Sequence, residues 1–275
     1  MKNLLLTAAL LVATTLCLSA QSTKLLFGMP VKSVGISMGV DEDRLSGIGA
    51  DYFLSQSRDA DMRALADDFE FAEKDVYSMI CENPYFRIDV ALAPRFTNNA
   101  ELRLGVLGIF NRTDWVSYRN SYEYGSANTD YINFSTYGNE LALEGTFLKS
   151  TGKKIFNLYG GVGTNIGYTF GNNAFVNGSK TITADDMQYS LRSAGGALEY
   201  MENNDAEYQS FHEYVQLRNG ISQRVFVMGG MGITLFQKFE LALEGRYGRG
   251  YRLVKGTGAH GTELYSINVA TRWHF

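Results

Sequence analysis

The chain has 275 residues, with 25 Lys and Arg against 29 Asp and Glu, a formal net charge of −4, and 45% apolar against 20% charged residues. That balance excludes a disordered chain and lacks the basic excess of a nucleic-acid binder, so no nucleic-acid partner is expected. A mean hydropathy of −0.15 argues against a bundle of spanning helices but says nothing against a membrane β-barrel.

Met1-Lys2-Asn3 opens the chain, an apolar run extends from Leu4 to Leu18, and Leu18-Ser19-Ala20 precedes Gln21. A short basic start, an apolar core and a small residue before the cut predict a secretory signal peptide over residues 1–20, with 21–275 as one mature unit. Cleavage removes Cys17 and leaves Cys81 alone, so no intrachain disulfide is expected. No Cys/His set has zinc spacing, and Asp41-Glu42-Asp43 lacks the downstream Gly and Glu of a calcium loop. No metal or other cofactor is expected.

From here the period is two. Val34, Ile36, Met38 and Val40 form the first strand. A long loop, 41–84, comes next. Within it Met62, Leu65, Phe69, Ala72 and Val76 fall on one helical stripe, which predicts a short amphipathic helix suited to capping a barrel mouth. Pro84 is expected to end that loop. Phe86, Ile88, Val90 and Leu92 alternate with Arg87, Asp89, Ala91 and Ala93, and after a short link near 94–100 come Leu102, Leu104 and Val106. A second long loop, 111–136, carries Tyr118, Tyr122, Tyr124 and Tyr131, which suit an interfacial aromatic girdle or a ligand-contact surface.

Leu141, Leu143 and Phe147 alternate with Glu140, Ala142, Glu144 and Thr146; after a link near 149–154, Phe156, Leu158, Val162 and Ile166 make the fifth strand. The third long loop, 169–221, is rich in Asn, Gly, Ser and Tyr. Its end keeps odd-numbered apolar residues (Phe211, Val215, Leu217, Ile221) in phase with the next strand, which predicts a hairpin protruding above the membrane. Val225, Val227, Met231, Ile233 and Leu235 form that strand. A link near 236–239 leads to Phe239, Leu241, Leu243 and Tyr247 opposite Glu240, Ala242, Glu244 and Arg246. Glu140–Gly145 and Glu240–Gly245 share the hexapeptide ELALEG, read as strand both times. A loop over 252–262 precedes Tyr265, Ile267, Val269, Thr271, Trp273 and Phe275, which alternate with Ser266, Asn268, Ala270, Arg272 and His274.

Eight strands result. Each holds its parity for about 9–13 residues, which matches the ~9–11 of a tilted membrane strand and exceeds the ~5–6 of soluble sheets. Short and long links alternate, as expected of an up-and-down transmembrane barrel with long outer loops. The fold expected is therefore all-β: an eight-stranded antiparallel up-and-down transmembrane barrel.

On the polar parity, Arg87, Arg95, Arg103, Arg224, Arg246 and Arg272 face Asp89, Glu101, Glu140, Glu144, Glu240 and Glu244. Eight strands leave a lumen just wide enough for side chains, so these six against six are expected to pair and plug it. Inward Gly161, Gly163, Gly230 and Gly232 would leave room for long side chains or let the wall bend. With no Lys-Ser/Thr after the glycines, they do not make a phosphate loop.

The last strand, with Tyr265, Ile267, Val269, Trp273 and a terminal Phe275, resembles the C-terminal signal of Gram-negative outer-membrane β-barrel proteins. Strand count and pattern resemble the small OmpA/OmpX-like eight-stranded barrels. The resemblance implies residence in the bacterial outer membrane, contact with its lipid, and recognition by the barrel-assembly machinery. It brings no catalytic motif, and the loops are longer than those barrels need.

The leading expectation is a non-enzymatic surface barrel whose loops meet an unknown extracellular partner, adhere, or support the envelope. One rival is an outer-leaflet lipid hydrolase, which needs a Ser, a His and an acid near the outer rim. Only His212, His260 and His274 are available; His274 lies at the opposite end, leaving His260 with Ser266, or His212 with Ser210 and Glu213. A second rival, a narrow transporter for apolar molecules, would need an apolar lumen, against the charges counted on the polar parity.

Overall fold

The computed structural model describes residues 25–45, 76–79, 82–95, 97–121, 129–151, 155–182, 199–203, 206–236, 238–255 and 258–275. The predicted signal peptide, the stretch Met62–Ala72 of the predicted helix, Tyr122 and Tyr124 lie outside them. Among the described residues there are strands and no helix. The strands are β1 (Leu25–Leu26), β2 (Met29–Leu45), β3 (Val76–Met79), β4 (Glu82–Leu92), β5 (Ala100–Ser121), β6 (Thr129–Ser150), β7 (Phe156–Ile182), β8 (Glu199–Asn203), β9 (Ala206–Gln216), β10 (Gly220–Leu235), β11 (Phe239–Val254) and β12 (Gly258–His274).

Eight of these close a barrel. The order runs β10-β11-β12-β2-β4-β5-β6-β7, every pair antiparallel, and β7 returns to β10 from Ile221↔Tyr168 down to Ile233↔Phe156. Closure gives each backbone N–H and C=O a partner and leaves no edge, which a chain without water around it requires. The lower rim carries short links. There β1 folds back on β2 through Phe27 and Gly28, both at positive φ, which suits the twist of a tight hairpin.

The upper half departs from the expected loops. β5 and β6 stay paired out to Ser121↔Thr129, and β7 pairs with β9 out to Ile182↔Glu207. Most of 111–136 is therefore strand. Of 252–262, residues 252–254 and 258–262 are strand too, because β11 and β12 pair up to Val254↔Gly258. Asp41–Leu45 belongs to β2. Val76, expected on the helical stripe, instead starts β3 and pairs with Tyr118. Pro84 lies inside β4, paired with Val40 at a level where β4 has no ladder to β5.

A ring of irregularities explains why these extensions escape a fixed-parity reading. On β5 the register shifts between Ile109 and Arg112; on β6–β7 it shifts between Tyr137 and Asn139. Each shift inserts one residue and swaps the inward and outward faces of the strand beyond it. Asn111 and Gly171 sit at the bulges at φ 55° and 64°. Asn139 Oδ1 accepts from Asn111 N–H at 3.2 Å, and the Asn172 side chain donates to Thr169 Oγ1 and the Arg218 carbonyl, both at 3.1 Å. Between β9 and β10 the chain breaks step too: Val215 points inward, whereas Ile221 points outward. The odd-numbered residues expected to run on one face through 211–221 thus change sides. Above this belt, among the described residues, the sheet β3-β5-β6-β7-β9-β8 rises on one side of the barrel.

Candidate functional site

The outer wall is apolar and uncovered. Leu143, Met38, Ile267 and Val225 are each at least 60% exposed, and the positions between them point inward. Aromatic side chains gather at two levels. Phe27, Phe156, Phe236, Trp273 and Phe275 ring the lower end; Phe110, Tyr168, Tyr247, Tyr251 and Tyr265 ring the upper. The twelve steps from Phe239 to Tyr251 span about 30 Å along the barrel axis at usual rise and tilt, close to the thickness of a bilayer core. Water would not tolerate so broad an apolar surface; hydrocarbon favours it. The chain is an eight-stranded up-and-down transmembrane barrel.

Tyr265, Ile267, Val269 and Trp273 of β12, with Phe275 beyond it, all lie exposed on this wall.

Among the described residues, seven arginines (Arg87, Arg103, Arg112, Arg224, Arg246, Arg252, Arg272) and seven acids (Asp41, Asp89, Glu101, Glu140, Glu144, Glu240, Glu244) are buried inside. Glu244 is the hub. Its Oε1 accepts from Arg103 Nη1 at 2.5 Å, from Tyr159 Oη at 2.8 Å and from Arg272; its Oε2 accepts from Arg87 at 2.7 Å and Asn268 at 3.0 Å. Glu144 bridges Arg87 at 2.9 Å and Arg246 at 2.8 Å. Nearer the upper rim, Glu140 takes a two-pronged bond from Arg224 at 2.6 and 3.0 Å, one from Arg112 at 2.9 Å and one from Ser222 at 2.7 Å. At the lower end Lys32 and Arg103 hold Glu101 at 2.9 and 2.5 Å, and Arg272 holds Glu240 at 3.0 Å. Asp89 is the loosest member: Arg87 Nε lies 3.4 Å away and donates to Ser37 instead.

The two ELALEG copies supply four of these carboxylates. Glu140 and Glu144 stand on β6 and Glu240 and Glu244 on β11. Alternation puts each pair on the lumen side with Ala142 or Ala242 between. Each ion out of water costs several kcal/mol unless its hydrogen bonds are replaced, and the multiple donors on Glu140 and Glu244 replace them.

Rings share the space. Arg103 lies 4.7 Å from the centre of Tyr159, and Arg246 lies 5.5 Å from Tyr85 and 5.3 Å from Phe226. The inward glycines make room mainly for these. A Cβ on Gly163 would stand 2.5 Å from the Phe226 ring and one on Gly230 2.6 Å from Tyr159, while Gly232 faces the Glu240 carboxylate. At Gly161 the close neighbour is backbone, the Phe147 carbonyl.

Arg95 does not join the lumen set. It is exposed in the turn after Pro94, where strand alternation has already ended. Asp41, Arg112 and Arg252 take their places inside; all three fall in segments expected to be loop. Of the rival hydrolase residues, Ser266 donates to Tyr85 Oη at 3.2 Å inside the barrel. His260 is six residues from it along β12, about 20 Å at strand rise. His274 lies 3.3 Å from Glu240 at the lower end, and Ser210 and His212 fall in β9 opposite Ser179 and Asn177.

No protein-family model and no curated protein matches the chain. Among solved structures it is similar to Ail, the attachment invasion locus protein of Yersinia pestis, at 11% identity and TM-score 0.31, with 89% of this chain and 98% of that chain covered. Neisserial surface protein A, NspA, is 13% identical over 88% and 96% of the two chains, with TM-score 0.33. The outer membrane protein OprG from Pseudomonas aeruginosa is 8% identical over 89% and 94%, with TM-score 0.31. Likenesses this distant carry no function across; the barrel rests on its own closed ladder.

Proposed function

We propose that this protein is a bacterial outer-membrane barrel, exported through a cleaved signal peptide, whose lumen is closed by ion pairs and whose tall upper sheet presents a non-enzymatic binding surface outside the cell. The observation that supports it is the set of seven arginines and seven acids, balanced in charge, that is buried inside eight strands among the described residues. A ring of that size leaves little space once long side chains cross it. Charge sealed inside does nothing for a partner, so recognition falls to what rises above the rim. Outer-membrane lipid surrounds the wall, the assembly machinery receives the last strand during biogenesis, and an extracellular partner meets the upper sheet.

Planar bilayers test the closed lumen. Reconstituted protein is expected to give no sustained large conductance, and a stable open pore of nanosiemens scale would overturn the proposal. Whole cells expressing the protein, compared with cells expressing it with the residues above the bulge belt replaced by short turns, should differ in surface binding and not in permeability.

A further inference from the structure

On β11 and β12 a close ion pair, Arg249 and Glu263 2.8 Å apart, interrupts the apolar outer wall below Tyr251 and Leu253, and on β2 and β4 the wall ends in charge, with Glu42 paired across to Glu82. On β5, β6, β7 and β9 it does not. Above the bulges the first outward row places Tyr137, Asn173 and Gln216 side by side, and the second places Trp115, Phe175 and Tyr214 in register. Thr113 stands in the first row and Ser135 in the second, which Met79 extends through its pairing with Trp115, and Asn133 and Asn177 stand in the next. No residue of the two rows is charged. Tyr214 is 79% exposed and Tyr137 47%, and Phe175 and Tyr214 pack tilted at 4.9 Å between ring centres.

A sheet face meant for water alone carries charge to stay soluble, and one meant for acyl chains carries no row of amides. Rings interleaved with Asn, Gln and Ser fit a partner with apolar faces and many hydroxyls: aromatic groups cover C–H surfaces while amides exchange hydrogen bonds. This face is also the direct upward continuation of the lipid-contacting wall, separated from Phe110, Tyr168 and the acyl-facing residues by the bulge belt only. What lies immediately above acyl chains, beside a barrel, is the headgroup of the neighbouring lipid. Resting on the outer-membrane reading above, we propose that the outward face formed by Trp115, Tyr137, Asn173, Phe175, Tyr214 and Gln216 binds the saccharide headgroup of surrounding glycolipid. The one-sided sheet then stands in the glycan layer.

The two tryptophans separate this proposal from the reading beneath it, because Trp115 lies on the proposed face and Trp273 in the lower girdle. Full-length W273F and W115F proteins are placed in phosphatidylcholine nanodiscs, alone, with lipid A, or with lipopolysaccharide bearing its core sugars. The expected result is that Trp115 in W273F moves to bluer emission and is quenched about twofold less by acrylamide with lipid A or lipopolysaccharide, whose headgroups are both saccharides, and not with phosphatidylcholine alone. Adding Tyr137→Ser and Tyr214→Ser should raise the glycolipid concentration needed about fivefold, as for loss of two modest ring contacts. Equal protection by phosphatidylcholine alone, or none by either glycolipid, overturns the glycan proposal. Failure of the outer-membrane reading shows elsewhere: Trp273 in W115F would then escape quenching by brominated acyl chains.

Discussion

Below the bulge belt the barrel keeps charge inside and hydrocarbon-like surface outside. Above it the same strands reverse part of that arrangement: Phe134, Ala174, Val176 and Val215 are buried on the inward side, while amides and rings face out. One inserted residue on β5 and one on β7 separate the two regimes. The contrast shows that a long strand can serve two solvents: β5 and β7 reset which residues they present by a bulge, while β6 does so by a change of residues on unchanged parity.

Substitutions can break that contrast, and the largest effect is expected at its ionic centre. Glu244→Gln leaves Arg87, Arg103 and Arg272 without their shared carboxylate inside the wall, and should cost about 3–5 kcal/mol, read as a lower urea midpoint for the folded, heat-modifiable form. A midpoint like the wild type's would mean that water reaches these arginines and that the lumen is open. Next come two positions on one face of β6. Leu143→Arg places a charge in mid-wall and should cost about 2–4 kcal/mol in lipid, whereas Tyr137→Arg, six residues higher and past the bulge, should cost under about 1 kcal/mol. Equal penalties would put the upper sheet in the membrane. Gly163→Ala drives a Cβ to 2.5 Å from Phe226 and should cost about 1–3 kcal/mol, while Gly245→Ala, whose nearest neighbour is 3.9 Å away on the outer wall, should leave the midpoint unchanged.

Much of the lower half was legible from alternation alone. Val34 to Val40, Phe86 to Leu92 and Tyr265 to Trp273 each declare a wet-side and an oil-side face, and an eight-strand count leaves little choice of closure. Every charged residue that inward parity selects is buried in the lumen except Arg95. Arg95 failed because parity was carried past Pro94 into a turn. Asp41, Arg112 and Arg252 were missed for the opposite reason: strand continues where polar residues suggest loop. The upper sheet was least legible because both its faces lack simple alternation, and because the bulges at Asn111 and Gly171 shift parity by one without any apolar marker. The positive φ values there suit Asn and Gly, the only local signal that could have pointed to them. Partners across the lumen were beyond reach in principle. Nothing in sequence spacing tells that Arg87 meets Glu244, 157 residues away, rather than another acid at similar depth.

The smallest effect is expected at an exposed pair near the upper end of the outer wall on β11 and β12. Arg249 and Glu263 form a close pair at 2.8 Å, shorter than several inside the lumen, yet Arg249 is 74% exposed. Distance alone would rank this pair beside those of Glu244. Dielectric decides otherwise, since exposed ions keep their hydration and salt screens them. Arg249→Ala is therefore expected to leave the urea midpoint within error at low and at high salt. Three residues on and facing in, Arg252 is nearly buried and its replacement by Ala should lower the midpoint clearly. If Arg249→Ala instead matched the loss from Glu244→Gln, the β11–β12 rim would have to be as dry as the lumen. The membrane would then reach past Arg249 to cover Tyr251 and Leu253 on this side.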